Sequence, residues 1–212
     1  MHFTEEHLKI LGEIQAEWNK AESDIKTAEM VVHKIVLPAV KELRYAGRRI
    51  IDALMIISAN SEDPDHSKIR ALLEDARFDC HRARHDAIDA ATAKIAADIE
   101  IMVESLGYHS ILPAYPDFPR LYHELQNIRT RIKDSRLNRD NRESIYSIIE
   151  ASQFPILVQL FNDMRANEPM MLELAKKGRK DQFYGKWGLY FGGVGLVVGI
   201  FGILLGYLAP FH

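Results

Sequence analysis

The sequence has one cysteine and few glycines outside a single short stretch. The lone cysteine, Cys80, excludes a disulfide framework and suits a reducing compartment. Eight of the 12 glycines lie between residues 185 and 206, and the rest of the chain has neither a Walker loop nor a glycine-rich dinucleotide turn. No segment alternates polar and apolar residues as a strand would. These absences exclude disulfide-rich and β-rich folds and argue against the common nucleotide-binding enzymes.

Charge is missing from the 23 residues 187–209. A helix of that length, rising about 1.5 Å per residue, can cross a hydrocarbon core of about 30 Å. We therefore expect a transmembrane helix at 187–209, a basic juxtamembrane neck at 176–186 and a soluble all-helical domain at 1–175. Met1 to Phe3 lead directly into charged sequence without a signal peptide, so we expect the N-terminal domain to be cytoplasmic, at the inner membrane if the protein is bacterial.

Seven glycines, from Gly185 through the uncharged stretch, follow one another at gaps of three and four residues in turn, so they share one helical face. An eighth, Gly193, lies off this face and could serve a second contact. The mean gap of 3.5 matches the period of a left-handed supercoil. Glycine allows helices to approach closely in lipid, where packing drives association. The glycines in this register are Gly185, Gly188, Gly192, Gly195, Gly199, Gly202 and Gly206. We expect them to mediate homo-oligomerisation, either in a dimer or in a ring that could enclose a pore.

Basic residues and a tryptophan precede the uncharged stretch and predict contact with membrane lipid. They are Lys176, Lys177, Arg179, Lys180, Lys186 and Trp187. A basic flank stays on the cytoplasmic side and is attracted to anionic lipid. Residues 176–186 carry a net charge of +4 and residues 119–143 carry +3. Because the net charge of the whole chain is −3, the remaining residues together carry −10. An acidic body argues against general binding of nucleic acid, which needs a basic face.

Apolar residues recur at helical spacing through the rest of the chain, which predicts an all-α helical bundle. Thr4 is the expected N-cap of the first helix, and Pro38 should kink or restart it. A long helix is expected from about Ser67 to Leu106, with Gly107 as its C-cap. We expect the proline-punctuated segment 108–119 to be a loop. Further helices are expected at 120–136, 143–151, 155–166 and from Pro169 onward.

The long helix carries the most distinctive side chains. Small residues at helical spacing predict close packing against another helix: Ala76, Cys80, Ala83, Ala87 and Ala90. His81, His85 and Asp89 follow at intervals of four, which could hold a metal. Polar residues at this spacing are more often paired or solvated. The sequence therefore assigns no metal site, no cofactor and no catalytic residue.

Two runs, HRARHDAID and the earlier ELRYAGRRIIDAL, resemble the helical bundles of the HEPN superfamily. Members include ribonucleases and non-catalytic bundles, and some bacterial defence proteins join such a bundle to a membrane span, as in the accessory membrane protein found with some CRISPR loci. The resemblance implies a ligand or RNA site at Arg82, Arg84 and His85. HEPN nucleases carry an arginine, four to six residues, and then a histidine, and none of the nine histidines here follows an arginine at that distance.

Three functions are compatible with this pattern. The first is a membrane-perturbing or pore-forming effector controlled by the helical domain, for which the resemblance implies a role in antiviral defence. The second is a membrane-tethered sensor or adaptor that recruits a partner. The third is a membrane-bound ribonuclease. The trigger is expected to be a protein, a nucleotide or RNA. The basic segment around Arg129, Arg131 and Lys133 could bind the phosphate of a nucleotide or of RNA. The acidic residues between these basic residues favour the alternative, a solvent-exposed face without a ligand.

Overall fold

A computed structural model describes residues 3–59 and 64–180. These residues form helices joined by short connections, with no strand among them. The helices are α1 (Glu5–Val32), α2 (Leu37–Ala59), α3 (His66–Leu106), α4 (Tyr108–Ala114), α5 (Phe118–Leu137), α6 (Arg142–Ile148) and α7 (Phe154–Ala166), with a π-helical segment at Ile149–Gln153 between the last two. A final helix, α8, covers 168–180. The expected all-α class is confirmed over the described ranges.

Both ends of α1 follow from local chemistry. The Thr4 side chain accepts a hydrogen bond from the His7 backbone N–H, so the expected N-cap is confirmed. His33 adopts the left-handed conformation at φ 56° and its N–H donates to the Glu29 carbonyl, which closes the helix. The chain then restarts as α2 at Leu37. Pro38 fits there because the first turn of a helix leaves its N–H groups unbonded.

The segment 108–119 was expected to be a loop, and this prediction is wrong for its first half, which forms α4. Gly107 ends α3 as expected, at φ 72°. Its carbonyl then accepts hydrogen bonds from the Ser110 and Ile111 backbone N–H groups, which starts a new helix at once. Pro113 lies in the last turn of this short helix, so it removes only one internal hydrogen bond.

The two short helices expected around Pro155 form one continuous helical run. A π-helical segment joins them, and the Phe154 N–H donates to the Ile149 carbonyl five residues back. Proline lacks an N–H and clashes with the carbonyl four residues before it. The wider π turn directly before Pro155 accommodates that ring without ending the helix.

The chain divides into two compact units, which we describe separately. Of the described residues, the first unit comprises 3–59, 64–101 and 119–163, and the second comprises 102–118 and 164–180. In the first unit α3 is the central helix, since its side chains pair with residues of α1, α2, α5 and α6. The small residues of α3 are fully buried there: Ala76, Cys80, Ala83 and Ala87. The second unit has its own apolar core, formed by Leu106, Ile111, Phe118, Met164 and Met171.

Candidate functional site

A buried arginine surrounded by acids and histidines lies at the centre of the first unit. Arg84 of α3 is only 2% exposed. Its guanidinium donates hydrogen bonds to Glu17 of α1 and to Glu150 of the π segment. Its Nη1 lies 3.4 Å from Glu143 Oε1, and its Nε lies 3.8 Å from Asp24 Oδ2. With two histidines this group forms what we call the Arg84 cluster: Glu17, Asp24, His81, Arg84, His85, Glu143 and Glu150.

The spacing of the carboxylates explains how three helices build this cluster. Glu17 and Asp24 are seven residues apart on α1, which places them on one face, two turns apart. Glu143 and Glu150 are also seven apart, on the run from α6 into the π segment. Arg84 lies on the buried stripe of α3, between these two pairs. Each flanking helix therefore presents two acids to one cation.

The two histidines of the cluster converge on a single carboxylate oxygen. His81 Nδ1 lies 2.6 Å and His85 Nε2 lies 3.2 Å from Glu143 Oε2. His81 Nδ1 also lies 3.9 Å from Glu17 Oε2. The His85 ring is 4% exposed and stacks on Tyr146, with centroids 3.8 Å apart. The i, i+4 spacing of the histidines on α3 thus brings both rings to the same acid.

The burial and charge of the cluster change the acidity of its members. Burial would raise the pKa of Glu143, but contacts with His81 and His85 and the charge of Arg84 outweigh it, so this pKa is far below its ordinary value. The pKa of Glu17 is also lowered: burial opposes this, but the hydrogen bond from Lys20 and the charge of Arg84 prevail.

The remaining titratable members respond mainly to burial. Burial raises the pKa of Asp24 to about 6, against the opposing charge of Arg84. Burial also lowers the pKa of His85, and its contact with Glu143 compensates only in part. At neutral pH the carboxylates of Glu17, Asp24 and Glu143 are therefore mostly ionised beside the guanidinium, and His85 is uncharged.

The residues that the sequence singled out as candidate ligands have different surroundings. The Arg82 side chain is 59% exposed and pairs with Asp79, 3.2 Å away. Arg84 and His85 are buried and belong to the Arg84 cluster. Because carboxylates already accept the guanidinium hydrogen bonds of Arg84, a phosphate would have to displace them to bind there. This arrangement favours a structural role for Arg84.

The histidine–aspartate pattern on α3 divides between two neighbouring networks. Asp89 accepts a hydrogen bond from the Tyr146 hydroxyl at 2.6 Å and another from Arg136 at 2.9 Å. His81 and His85 instead meet Glu143, and Glu17, His81 and Glu143 offer ligand atoms that all lie within 4.8 Å of one another. These two glutamates were missed from the sequence, because nothing in the chain marks which distant acid faces which histidine.

The basic segment on α5 is tied partly to α3. Arg136 is paired with Asp89 as described, and Arg129 Nη1 lies 3.9 Å from Glu100 Oε1. Both side chains remain about half exposed or more. The geometry agrees with a solvated face, and the phosphate-binding alternative stays a prediction.

Part of the expected neck belongs to α8. Lys176, Lys177, Arg179 and Lys180 are all exposed on that helix. Lys186, Trp187 and the glycine register from Gly185 to Gly206 lie outside the described residues, as does the expected span 187–209. Within 3–59 and 64–180, no helix combines the length and the apolar character that a membrane crossing requires.

Comparison with known proteins yields no match to a protein family, to a curated protein or to a solved structure. The fold and the cluster define the chain as an all-helical bundle with a buried arginine–carboxylate–histidine network.

Proposed function

We propose that this protein is a tail-anchored membrane effector that self-associates through its C-terminal helix and is controlled by its helical domain. The observation that carries the proposal is the uncharged stretch 187–209, in which six glycines continue one helical register that begins at Gly185. A soluble helix would lose roughly 1 kcal/mol for each glycine relative to alanine. In lipid the helix persists, because its backbone groups have no water to bond, and its glycine face favours helix association.

The described end of the chain supports this proposal. Helix α8 displays its exposed lysines and Arg179 within one and a half turns, and six residues separate them from the uncharged stretch. Met170 is 50% exposed on the same helix, so apolar and basic side chains are both available to a lipid surface. Each basic residue near an anionic membrane gains about 1 kcal/mol. Such a helix suits the junction between a cytoplasmic domain and a membrane span.

The core of the domain is more consistent with an effector or a sensor than with a ribonuclease. The hydrogen bonds of Arg84 go to Glu17 and Glu150, and His85 is buried against Tyr146. An RNA phosphate would need both side chains to be accessible. Instead the cluster links α1, α3 and α6, so a change of its charge would alter how these helices pack. We therefore place control of the effector in the bundle and membrane action in the anchor.

Vesicle experiments test both parts of this proposal. The full-length protein should float with vesicles of anionic phospholipid, and a chain ending at residue 180 should not. An ion-flux assay in the same vesicles should show leakage that Gly195→Leu and Gly199→Leu abolish, while Val197→Leu on the opposite face retains it. Failure to float would refute the anchor. Flotation without flux under any trigger would retire the effector and leave the anchor intact.

A tethered adaptor is the second candidate, and an exposed face of α2 favours it. Leu37 and Val40 near its start and Ile51 and Met55 near its end share this face with Arg44 and Arg48 between them, and the four apolar side chains are 40% to 69% exposed. A face of this kind can receive an amphipathic helix of a partner protein. Replacing the anchor with an unrelated transmembrane span discriminates between the two: full activity afterwards supports the adaptor, and loss of activity supports the effector.

A further inference from the structure

Three side chains of the Arg84 cluster supply a donor set that metals use. Glu17, His81 and Glu143 offer one imidazole nitrogen and two carboxylate oxygens that all lie within 4.8 Å of one another. Imidazole suits zinc and the neighbouring transition metals, whereas sites for magnesium and calcium are built from oxygen ligands. Zinc sites with three protein ligands keep the fourth position for water. The number and type of donors therefore match a three-ligand site for a first-row transition metal.

The distances between these donors fit a single ion. Bonds of about 2.0–2.2 Å in a tetrahedral site place neighbouring ligand atoms about 3.4 Å apart. The His81 Nδ1 to Glu143 Oε2 distance is 2.6 Å and the His81 Nδ1 to Glu17 Oε2 distance is 3.9 Å. These values lie on both sides of the tetrahedral spacing, so small rotations of the side chains would complete the geometry.

A second observation is independent of the donor set. His85 is 4% exposed and its Nε2 lies 3.2 Å from Glu143 Oε2, yet neither of its ring nitrogens makes a well-aligned hydrogen bond with the described residues. The buried Nδ1 of His81, 2.6 Å from the same oxygen, is also poorly aligned for one. Buried polar atoms are normally satisfied, and a cation bound to His81 Nδ1 and Glu143 Oε2 would satisfy both of these atoms.

The position of the guanidinium points in the same direction. Arg84 Nη1 approaches Glu143 through Oε1, which leaves Oε2 facing the histidines. The guanidinium and a metal ion can therefore share this carboxylate.

We propose that Glu17, His81 and Glu143 bind one Zn²⁺ ion. The three ligands come from α1, α3 and α6, and each is more than 60 residues from the next in sequence. The ion fastens these three helices at the level of Arg84, and the carboxylates that bind the guanidinium position the site.

The test uses the full-length protein in mild detergent, freed of metal by a chelator. Isothermal titration with ZnCl₂ should show one saturable site per chain, and Zn²⁺ should raise the melting temperature. His81→Asn should weaken binding at least about tenfold, because even outer-shell changes cost that much. His123 is exposed on α5, outside the cluster, so His123→Asn is the matched control and should bind as the wild type does.

Several results would overturn the assignment. Absence of saturable binding to the wild-type protein would do so without any variant, as would binding of Mg²⁺ as tight as that of Zn²⁺. Wild-type affinity in both His81→Asn and Glu143→Gln would place the ion on other histidines. Circular dichroism of each variant establishes that it is folded; if His81→Asn does not fold, the absorption of Co²⁺ bound to the wild type reports nitrogen ligation directly.

Discussion

Replacing the buried guanidinium should destabilise the bundle far more than replacing its exposed neighbour. Arg84→Met retains much of the side-chain volume and removes the charge. Four carboxylates then lose their shared cation in a site where the arginine is 2% exposed. Removing one partner of a buried ion pair costs about 3–5 kcal/mol, because the other charge is left uncompensated. For a chain of this length, each kcal/mol shifts the melting temperature by about 2–4 °C, so we expect a fall of about 10 °C.

The matched control is Arg82→Met on the same helix. The Arg82 side chain is 59% exposed and pairs with Asp79 at 3.2 Å. Asp79 is itself buried but keeps a second partner, Arg49, whose Nε lies 2.7 Å from Oδ2, so the melting temperature should change by only a few degrees. Thermal unfolding of the full-length protein in detergent, followed by far-ultraviolet circular dichroism, measures both variants.

The pH dependence separates charge from packing. Without Arg84, the carboxylates around it have pKa values raised by burial and mutual repulsion. Folding then favours their protonation, so the deficit of Arg84→Met should shrink as the pH falls from 7 towards 5. Equal losses for Arg84→Met and Arg82→Met, or a deficit that does not change with pH, would refute the claim that the cluster depends on a buried cation.

The remaining predictions concern acidity, packing and association. The folded-state pKa of Asp24, about 6, lies above the value of about 3.9 in an unfolded chain, so its contribution to stability is most favourable below pH 4 and is lost as the pH rises through 6. Asp24→Asn should therefore stabilise the protein at pH 7 by up to about 3 kcal/mol in chemical unfolding, with no difference from wild type at pH 4. Ala83→Leu overfills a fully buried position and should cost about 1–3 kcal/mol in the same assay, whereas Ala97→Leu on an exposed face of α3 should cost under about 0.5 kcal/mol. In light scattering, Gly195→Leu should reduce the assembly size in detergent and Val197→Leu should not.

Much of the helical architecture could be predicted because the signals are local. Thr4 caps α1, Pro38 lies in the first turn of α2 and Gly107 ends α3, as their backbone chemistry requires. The helix at Tyr108–Ala114 could not be predicted from its proline content. A proline usually ends a helix, but Pro113 lies in the last turn of this one, where it does little harm. The continuity through Pro155 was missed because a π turn has no simple sequence signature.

The candidate site was predictable only in part. The spacing of His81 and His85 placed both on one face of α3, and that feature is local. Arg84 follows Cys80 and precedes Ile88 at intervals of four, on the buried face of α3. A charged residue at such a position was the one local signal that this arginine lies in the core. Its partners Glu17 and Glu150 lie more than 60 residues away in sequence, and only tertiary packing pairs them with Arg84. The two acid pairs spaced by seven residues were the other signal, but four further acid pairs in the sequence share that spacing, so it does not mark which of them meet at one cation.

The central claim is that copies of this chain associate through the glycine face of residues 185–206. Multi-angle light scattering of the full-length protein in mild detergent, corrected for bound detergent, measures it most directly. Our account predicts a protein mass that is a whole-number multiple of the chain mass, reduced when Gly195 and Gly199 are both replaced by leucine. A single-chain mass for the wild type, or the same multiple in the leucine variant, would contradict it.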